Sequence, residues 1–387
     1  MKTSIRAKVL PLSIVGILFT GLVLGYVAVR TQKSTLGEIY NKEIQVVQKI
    51  YNNLENNDIR MLETAMTDIM TNQGLKDTFI EGVKNNNREA LLAATQELYA
   101  KHKELGVTHF YFHRADGTNF LRVHTPATFD DVITRSTFKK SQATNDWGTG
   151  IELGKTAFAL RVVHPYYNGA DLIGYLEYGE EIDHFNKTIK EQTGDDVVTI
   201  VNKAKIDEKG WADLMTKKGM RNNYADMTDF VAIDSTNPAY LEKANYCWNE
   251  NVLKNVSNEG GIFGLITKNG KTYSCGGFAL KDANNATVGA VVSIKDVTAD
   301  QASLIAGINQ SIMLTVVIVL VLSLLILMMI NGMIVRPLRK LTDAGNKISE
   351  GQIDAALPVI NSNDEIKDLS VTMESLVGAI KFMKNKK

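Results

Sequence analysis

The chain has 387 residues, 44% of them hydrophobic, with 43 basic and 43 acidic side chains and a formal net charge of zero. That balance excludes the basic footprint of a nucleic-acid binder and asks for no acidic substrate, while the length allows two or three domains. The two cysteines, Cys247 and Cys275, show no CxxC or paired Cys/His spacing, so structural zinc and covalent haem have no support.

Lys2, Arg6 and Lys8 precede an uncharged run, Val9 to Val29, long enough to cross a bilayer core as a helix. A cleaved signal peptide is the competing reading, but Val29-Arg30-Thr31 passes into a polar helix without a small-residue cleavage site. Ser311 to Ile330 is a second and purer apolar run. Arg336, Arg339 and Lys340 follow it, whereas Ala299 to Gln310 has no basic residue. The positive-inside bias puts both termini in the cytoplasm and residues 31–310 on the far side. Both cysteines fall there, where a disulfide persists, although the sequence equally allows two buried thiols.

Thr31 to Met70 carries Ile39, Val46, Ile50, Leu54 and Met61 at helical spacing with no proline, which predicts a long helix. Asn85-Asn86-Asn87 breaks the pattern. Arg88 to His102 resumes it, with Leu91, Leu92, Thr95 and Leu98 as the apolar face. After Gly106 the period changes to that of strands. His109 to Arg114 and Thr118 to His124 flank Ala115-Asp116-Gly117, a hairpin signal, and Thr156 to Val163 and Leu172 to Tyr178 follow. The pattern then recurs more loosely. Val197 to Asn202 reads as a strand, Glu208 to Lys217 as a helix, Phe230 to Ile233 as a strand and Pro238 to Val252 as a helix. Gly261 to Lys268, Lys271 to Leu280 and Thr287 to Ile294 close it as strands, with Asn269-Gly270 and Asp282 to Asn285 as turns. Two α+β modules in tandem are expected, and Thr298 is the expected N-cap of a helix running into the second span.

This arrangement resembles the double-Cache sensor domains of bacterial chemoreceptors, sensor kinases and cyclases, in particular the third double-Cache type. The residues that carry the resemblance are FHRADGTNFLRVHTP (112–126), TGIELGKTAFALRVVHPYY (149–167) and LIGYLEYGEEIDHF (172–185). It implies a PAS-like sheet flanked by helices in each module, with a small-molecule pocket in the membrane-distal one. The cytoplasmic end is similar to the HAMP relay. Pro337 follows the span, and Leu338, Leu341, Gly345 and Ile348 repeat at the three-four spacing of a coiled-coil seam. Beyond Gly351, the Asp364-Glu365 pair leads into Ile366, Leu369, Met373, Leu376, Ile380 and Met383. Lys367 stands where that family usually has glycine. Two parallel helices per chain would form a four-helix bundle in a homodimer.

The expected fold is thus an α+β extracytoplasmic tandem PAS-like domain with a long N-terminal helix, two transmembrane helices and a parallel coiled-coil relay. Its expected divisions are a cytoplasmic N-terminus (1–8), a first span (9–29), stalk and long helices (31–103), a distal module (104–194), a proximal module (195–298), a connecting helix (299–310), a second span (311–335) and the relay (336–387).

A sensor needs polar groups fixed on strands around a cavity. Alternation puts Phe120, Arg122 and His124 on one face, and Arg161 on a face with Ala157, Ala159 and Val163, small neighbours that leave room beside a guanidinium. Tyr175 and Glu177 share a face of the next strand. Arg122, His124, Glu152, Arg161, Tyr175 and Glu177 are the candidate ligand residues, suited to a carboxylate or amino acid. The same Arg122, Arg161 and Glu152 read equally as structural ion pairs. His109, His113, His124 and His164 lie on the predicted sheet, but no metal site or cofactor is expected.

No GxSxG, HExxH or GxxxxGK pattern occurs, so catalysis is not expected. The expected function is that of a receptor in the bacterial inner membrane that binds a small extracytoplasmic molecule and signals through the relay. Because the chain stops at the end of the second relay helix, it is expected to act on a separate cytoplasmic partner or, alternatively, to be a receptor without output that serves as a structural dimer partner.

Overall fold

The computed structural model describes residues 5–153, 158–243 and 246–385. Thr156 and Ala157, assigned to a strand above, lie outside them. The chain divides into two compact units, Leu36–Gln301 and the paired terminal segments Met1–Thr35 and Ala302–Lys387.

In the first unit, α1 (Ile5–Thr71) lays Tyr40, Ile44, Val47, Tyr51, Leu62, Met66 and Ile69 into the core, a stripe at three-four spacing. This corrects the expected face: Ile39 and Val46 are exposed, and the tyrosines occupy the core side instead. Their rings are large enough to fill the space above the sheets, and Tyr51 packs edge-on against both Phe185 and Phe278. Asn72 caps α2 (Gln73–Asn85) by accepting the Leu75 N–H, and Asn86 ends it in the left-handed region at φ 52°. Helix α3 is Glu89–Glu104.

The first sheet has five antiparallel strands, β1 (His109–Arg114), β2 (Asn119–Arg122), β3 (Gly148–Leu153), β4 (Phe158–Asn168) and β5 (Asp171–Glu181), in the order β2-β1-β5-β4-β3. Helix α4 (Ser136–Thr144) precedes β3. Neither α4 nor β3 was anticipated, since α4 is short and weakly amphipathic and glycines at 148 and 150 interrupt the alternation of β3. Helix α5 (Asp183–Thr193), also unanticipated, leads to the second sheet.

That sheet contains β6 (Asp196–Asn202), β7 (Phe230–Ser235), β8 (Gly261–Lys268), β9 (Lys271–Lys281) and β10 (Thr287–Asp296), with α6 (Glu208–Lys218) between the first two. Its order, β7-β6-β10-β9-β8, repeats that of the first sheet, so the chain holds two modules of one topology. The helix expected over 238–252 is not formed. Pro238–Leu241 is a single 3-10 turn capped by Asn237, and α7 is only Glu250–Lys254, capped by Asn249. The intervening chain is drawn to the sheet by a disulfide between Cys247 and Cys275 of β9, whose Cα atoms are 6.1 Å apart.

Helix α8 (Thr298–Met329) follows β10 after one residue. Thr298 is not its cap: the Thr298 hydroxyl accepts the Thr272 N–H, while Asp296 Oδ1 takes the N–H of Thr298 at 3.1 Å. Helices α1 and α8 are both long and apolar enough to cross a membrane. In the second unit a side chain at Gly21 would meet Val319, and Gln32 Nε2 donates to Ser311 Oγ at 3.2 Å, so the two helices touch there. A π-helical turn, Ile330–Val335, joins α8 to α9 (Arg336–Ser349), with the Arg336 N–H reaching the Asn331 carbonyl. Pro337, in the first turn of α9, has no N–H to offer the preceding turn. Asp364 caps α10 (Glu365–Asn385) through the Ile366 N–H at 3.1 Å. Leu341, Ala344, Ile360 and Val377 are buried between these elements, whereas Leu369, Leu376, Ile380 and Met383 are exposed.

Candidate functional site

Side chains from all five strands of the first sheet converge on one face, under α4 and the segment that leads to it. Strand register explains the convergence. Tyr111 of β1 lies opposite both Arg122 of β2 and Glu177 of β5, and Arg161 of β4 lies opposite Gly150 and Gly179. Gly179 leaves room there: a Cβ would approach Arg161 Nη1 to 3.3 Å and His109 to 3.2 Å, a tight fit.

Glu177 is the centre, and its side chain is fully buried. It accepts from Arg161 Nη1 at 2.6 Å, from Arg135 Nη2 at 2.6 Å on both oxygens, and from His113 Nε2 at 3.0 Å. The adjoining guanidinium groups and the His113 bond outweigh the burial that opposes ionisation, and hold the Glu177 carboxyl well below the usual carboxylate range. Asn119 Nδ2 lies 3.2 Å from His113 Nδ1, which leaves the Nε2 proton for Glu177. Burial lowers the His113 pKa, so the ring donates as a neutral imidazole.

Glu152 of β3 accepts the backbone N–H of Thr137 at 2.8 Å and its hydroxyl at 3.0 Å, an N-terminal clamp on α4. Burial raises its pKa. Its Oε2 lies 3.9 Å from Arg135 Nε and 4.0 Å from Arg161 Nε, too far for hydrogen bonds. Both of these Nε–H donors are buried and without a hydrogen-bond partner. The guanidinium groups of Arg122, Arg135 and Arg161 all lie over the Tyr111 ring, 5.4, 5.0 and 5.7 Å from its centre.

The structure therefore brings Glu152, Arg161 and Glu177 together and places the other candidates around them. Arg122 is on the same face but bonded to both oxygens of Asp131, at 2.7 and 2.6 Å. This pair fastens the segment between β2 and α4, which is also held through Asp130 by Arg88 at 2.6 Å and Arg114 at 2.8 Å. His124 takes the Phe110 N–H on Nδ1 at 3.2 Å and packs on His109 and Tyr111. Burial pushes His124 down to about 4 and His109 to about 3, so both rings are neutral. Tyr175 packs edge-on against Phe138 of α4 at 4.8 Å, in a small cluster with Ile133 and Val163.

Phe120 does not share the face of Arg122. A register shift between Phe112 and His113 makes it the extra residue of a bulge, and it turns to the opposite side against Phe79. Sequence reasoning missed Tyr111, His113 and Arg135. The alternation that found Arg122 also carries Tyr111 and His113 on β1, where Phe110 and Phe112 mask it. Arg135, in an irregular segment, gives no periodic signal.

With the buried Arg161, the half-buried Arg135 and two buried carboxylates around an aromatic ring, the cluster is suited to a small ligand bearing a carboxylate, an ammonium group, or both. A cavity of about 110 Å³ lies between the modules, lined by Phe158 and Glu181 of the first sheet and by Trp211, Lys218 and Asp234.

Residues 45–301 match the family dCache_3, described as the double sensory domain of two-component sensor kinase, and residues 329–381 match the HAMP domain. No curated protein matches the chain. Similar solved structures include the ligand-binding domain of the Campylobacter jejuni chemoreceptor Tlp3 in complex with L-valine, at 12% identity and TM-score 0.41, covering 73% of this chain and 98% of that one. Another is the periplasmic domain of Vibrio cholerae LuxQ, at 11% identity and TM-score 0.38, covering 65% and 98%.

Proposed function

This chain belongs to the dCache_3 family of double sensory domains and carries a HAMP domain, which makes it a signal-transducing membrane receptor with an extracytoplasmic sensor, and we propose that its distal module binds a small carboxylate or amino acid between Arg135, Arg161, Glu152 and Glu177. The observation that carries this reading is the pair of buried Nε–H donors on Arg135 and Arg161. They lie 3.9 and 4.0 Å from Glu152 Oε2, and a ligand oxygen among them would satisfy donors that otherwise cost free energy. Glu177 and Glu152 would take a ligand ammonium group.

The receptor sits in the bacterial inner membrane, with residues 9–29 and 311–335 as spans, 104–194 and 195–298 as the distal and proximal modules, and 336–387 as the relay. It works as a homodimer in which the exposed Leu369, Leu376, Ile380 and Met383 of α10 meet a second copy. Ligand shifts the first sheet and the helices leading to the membrane, and the relay passes the shift to a cytoplasmic signalling partner. The size of the response is limited by the ligand's differential affinity for the two states.

A thermal-shift screen of the full chain in detergent against small acids, amino acids and amines tests the binding step. Ligands that bind the folded state raise its midpoint by mass action. Arg161→Glu should abolish the shift. A shift of unchanged size in that variant, or no shift with any compound, would refute the assignment.

A further inference from the structure

Away from that face, three side chains from three elements converge where the first module hands over to α5. Asp58 comes from α1, Glu180 from the end of β5 and His184 from the first turn of α5. Their ligating atoms all lie within 4.8 Å of one another. His184 Nε2 is 3.0 Å from Asp58 Oδ2 and 3.7 Å from Glu180 Oε1. Donors held about 2.0–2.1 Å from a tetrahedral zinc ion stand roughly 3.3 Å apart, so these two separations bracket the spacing such an ion needs.

One observation independent of the clustering points to a ligand. Glu180 is 7% exposed, and its Oε2 is buried without a hydrogen-bond partner. Gly106, at φ +98°, leaves the room that Glu180 occupies: a Cβ there would stand 2.3 Å from Oε1. The other nitrogen of His184 is already committed, with Nδ1 3.0 Å from the Glu181 carbonyl oxygen. Metal-ligating histidines show that second bond, because it fixes the ring and turns Nε2 to the ion. The charged neighbours that act on Glu180 are Asp58, Asp183 and His184, an environment that favours a cation.

We propose that Asp58, Glu180 and His184 form a divalent-cation site for zinc, with water completing the coordination, that ties α1 to the junction between β5 and α5. One imidazole with two carboxylates suits zinc, whereas calcium and magnesium prefer oxygen donors alone. The site lies apart from the Glu177 cluster and does not depend on the ligand reading above. Bound metal would fasten the long helix to the junction between β5 and α5, a second input to the same relay.

The test is titration of the metal-stripped full chain in detergent with Zn²⁺ alone, read by calorimetry and by thermal shift, with Mg²⁺ and Ca²⁺ in parallel. The expected result is one Zn²⁺ per chain, a raised midpoint, and no shift with Mg²⁺ or Ca²⁺. Asp58→Asn, Glu180→Gln and His184→Ala should each weaken binding at least tenfold while melting cooperatively in chelator. Because Glu180→Gln preserves shape, it separates lost ligation from lost folding. Co²⁺ should give the visible absorption of a tetrahedral N/O site, absent in His184→Ala. Failure of the wild-type chain to bind Zn²⁺ stoichiometrically, or binding unchanged in the three variants, would overturn the proposal.

Discussion

Replacing Glu177 with Gln removes the anion that two arginines share. Arg161 has a side chain only 5% exposed and loses its 2.6 Å partner, and Arg135 loses both of its bonds to the carboxylate. Breaking a buried pair from one side costs about 3–5 kcal/mol, because the remaining charge stays buried. For a unit of this size each kcal/mol moves the midpoint by roughly 2–4 °C, so the variant should melt on the order of 10 °C lower. Trp147, packed on His164 beside β3, reports that transition by its fluorescence in the full chain. The pH dependence follows from the sign of the shift. The Glu177 pKa is depressed in the fold, so its contribution is present above the unfolded value near 4.3 and is lost as pH falls through the folded one. Glu177→Gln should therefore narrow its gap from wild type in strong acid. Arg161→Met combined with Glu177→Leu should cost less than the sum of the single changes by more than about 1 kcal/mol. A loss under about 1 kcal/mol for Glu177→Gln, the cost of an exposed pair, would refute the view of this cluster as buried and mutually dependent.

Between pH 6.5 and 4.5, His109 and His124 stay neutral in the fold while the unfolded chain takes up their protons, so they lower stability as pH falls. Glu55, Glu152, Glu180 and His184, whose pKa values are raised, act in the opposite direction, so the readout is the difference from wild type. His109→Gln with His124→Gln should make that difference change with pH, by at most about 2.7 kcal/mol per pH unit; parallel unfolding curves would contradict the assignment. Reducing the Cys247–Cys275 disulfide, which joins residues 28 apart in sequence, should destabilise the second module by about 3–4 kcal/mol, read by Trp211 and Trp248 fluorescence with and without reductant. Inserting one residue at Ala306 rotates the following helix by about 100°, and should abolish or invert ligand-dependent signalling; an unchanged response would exclude rotational coupling.

Periodicity made most of the fold legible because it is a property of the chain itself. The apolar and β-branched runs of β1, β5, β6 and β10 and the turn at Asn269-Gly270 follow from local residue choice, and both glycine and asparagine there adopt positive φ. What stayed hidden depended on partners remote in sequence. The segment around Cys247 reads as helix by spacing, but its cross-link to β9 and the asparagine caps on either side break it into short turns. The buried face of α1 is decided by aromatic rings such as Tyr51, which packs on Phe185 of α5 and Phe278 of β9 and which apolar counting overlooks.

The candidate site shows the same division. Arg161 and Glu177 are visible in the sequence as charged residues on apolar strands, and Glu152 as a carboxylate in the 149–167 segment. Arg135 is not, since only the fold brings the start of α4 over Glu177, and the bulge that turns Phe120 away from Arg122 leaves no mark in the alternation.

The most direct measurement is a crystal structure of the sensor-bearing chain with the tightest compound from the thermal screen. The account predicts ligand density on the first sheet, with an oxygen within hydrogen-bond reach of Arg135 Nε and Arg161 Nε and any ammonium group on Glu152 or Glu177. Ligand bound instead in the cavity beside Trp211 and Asp234, with Arg135 and Arg161 contacting only Glu177, would contradict it.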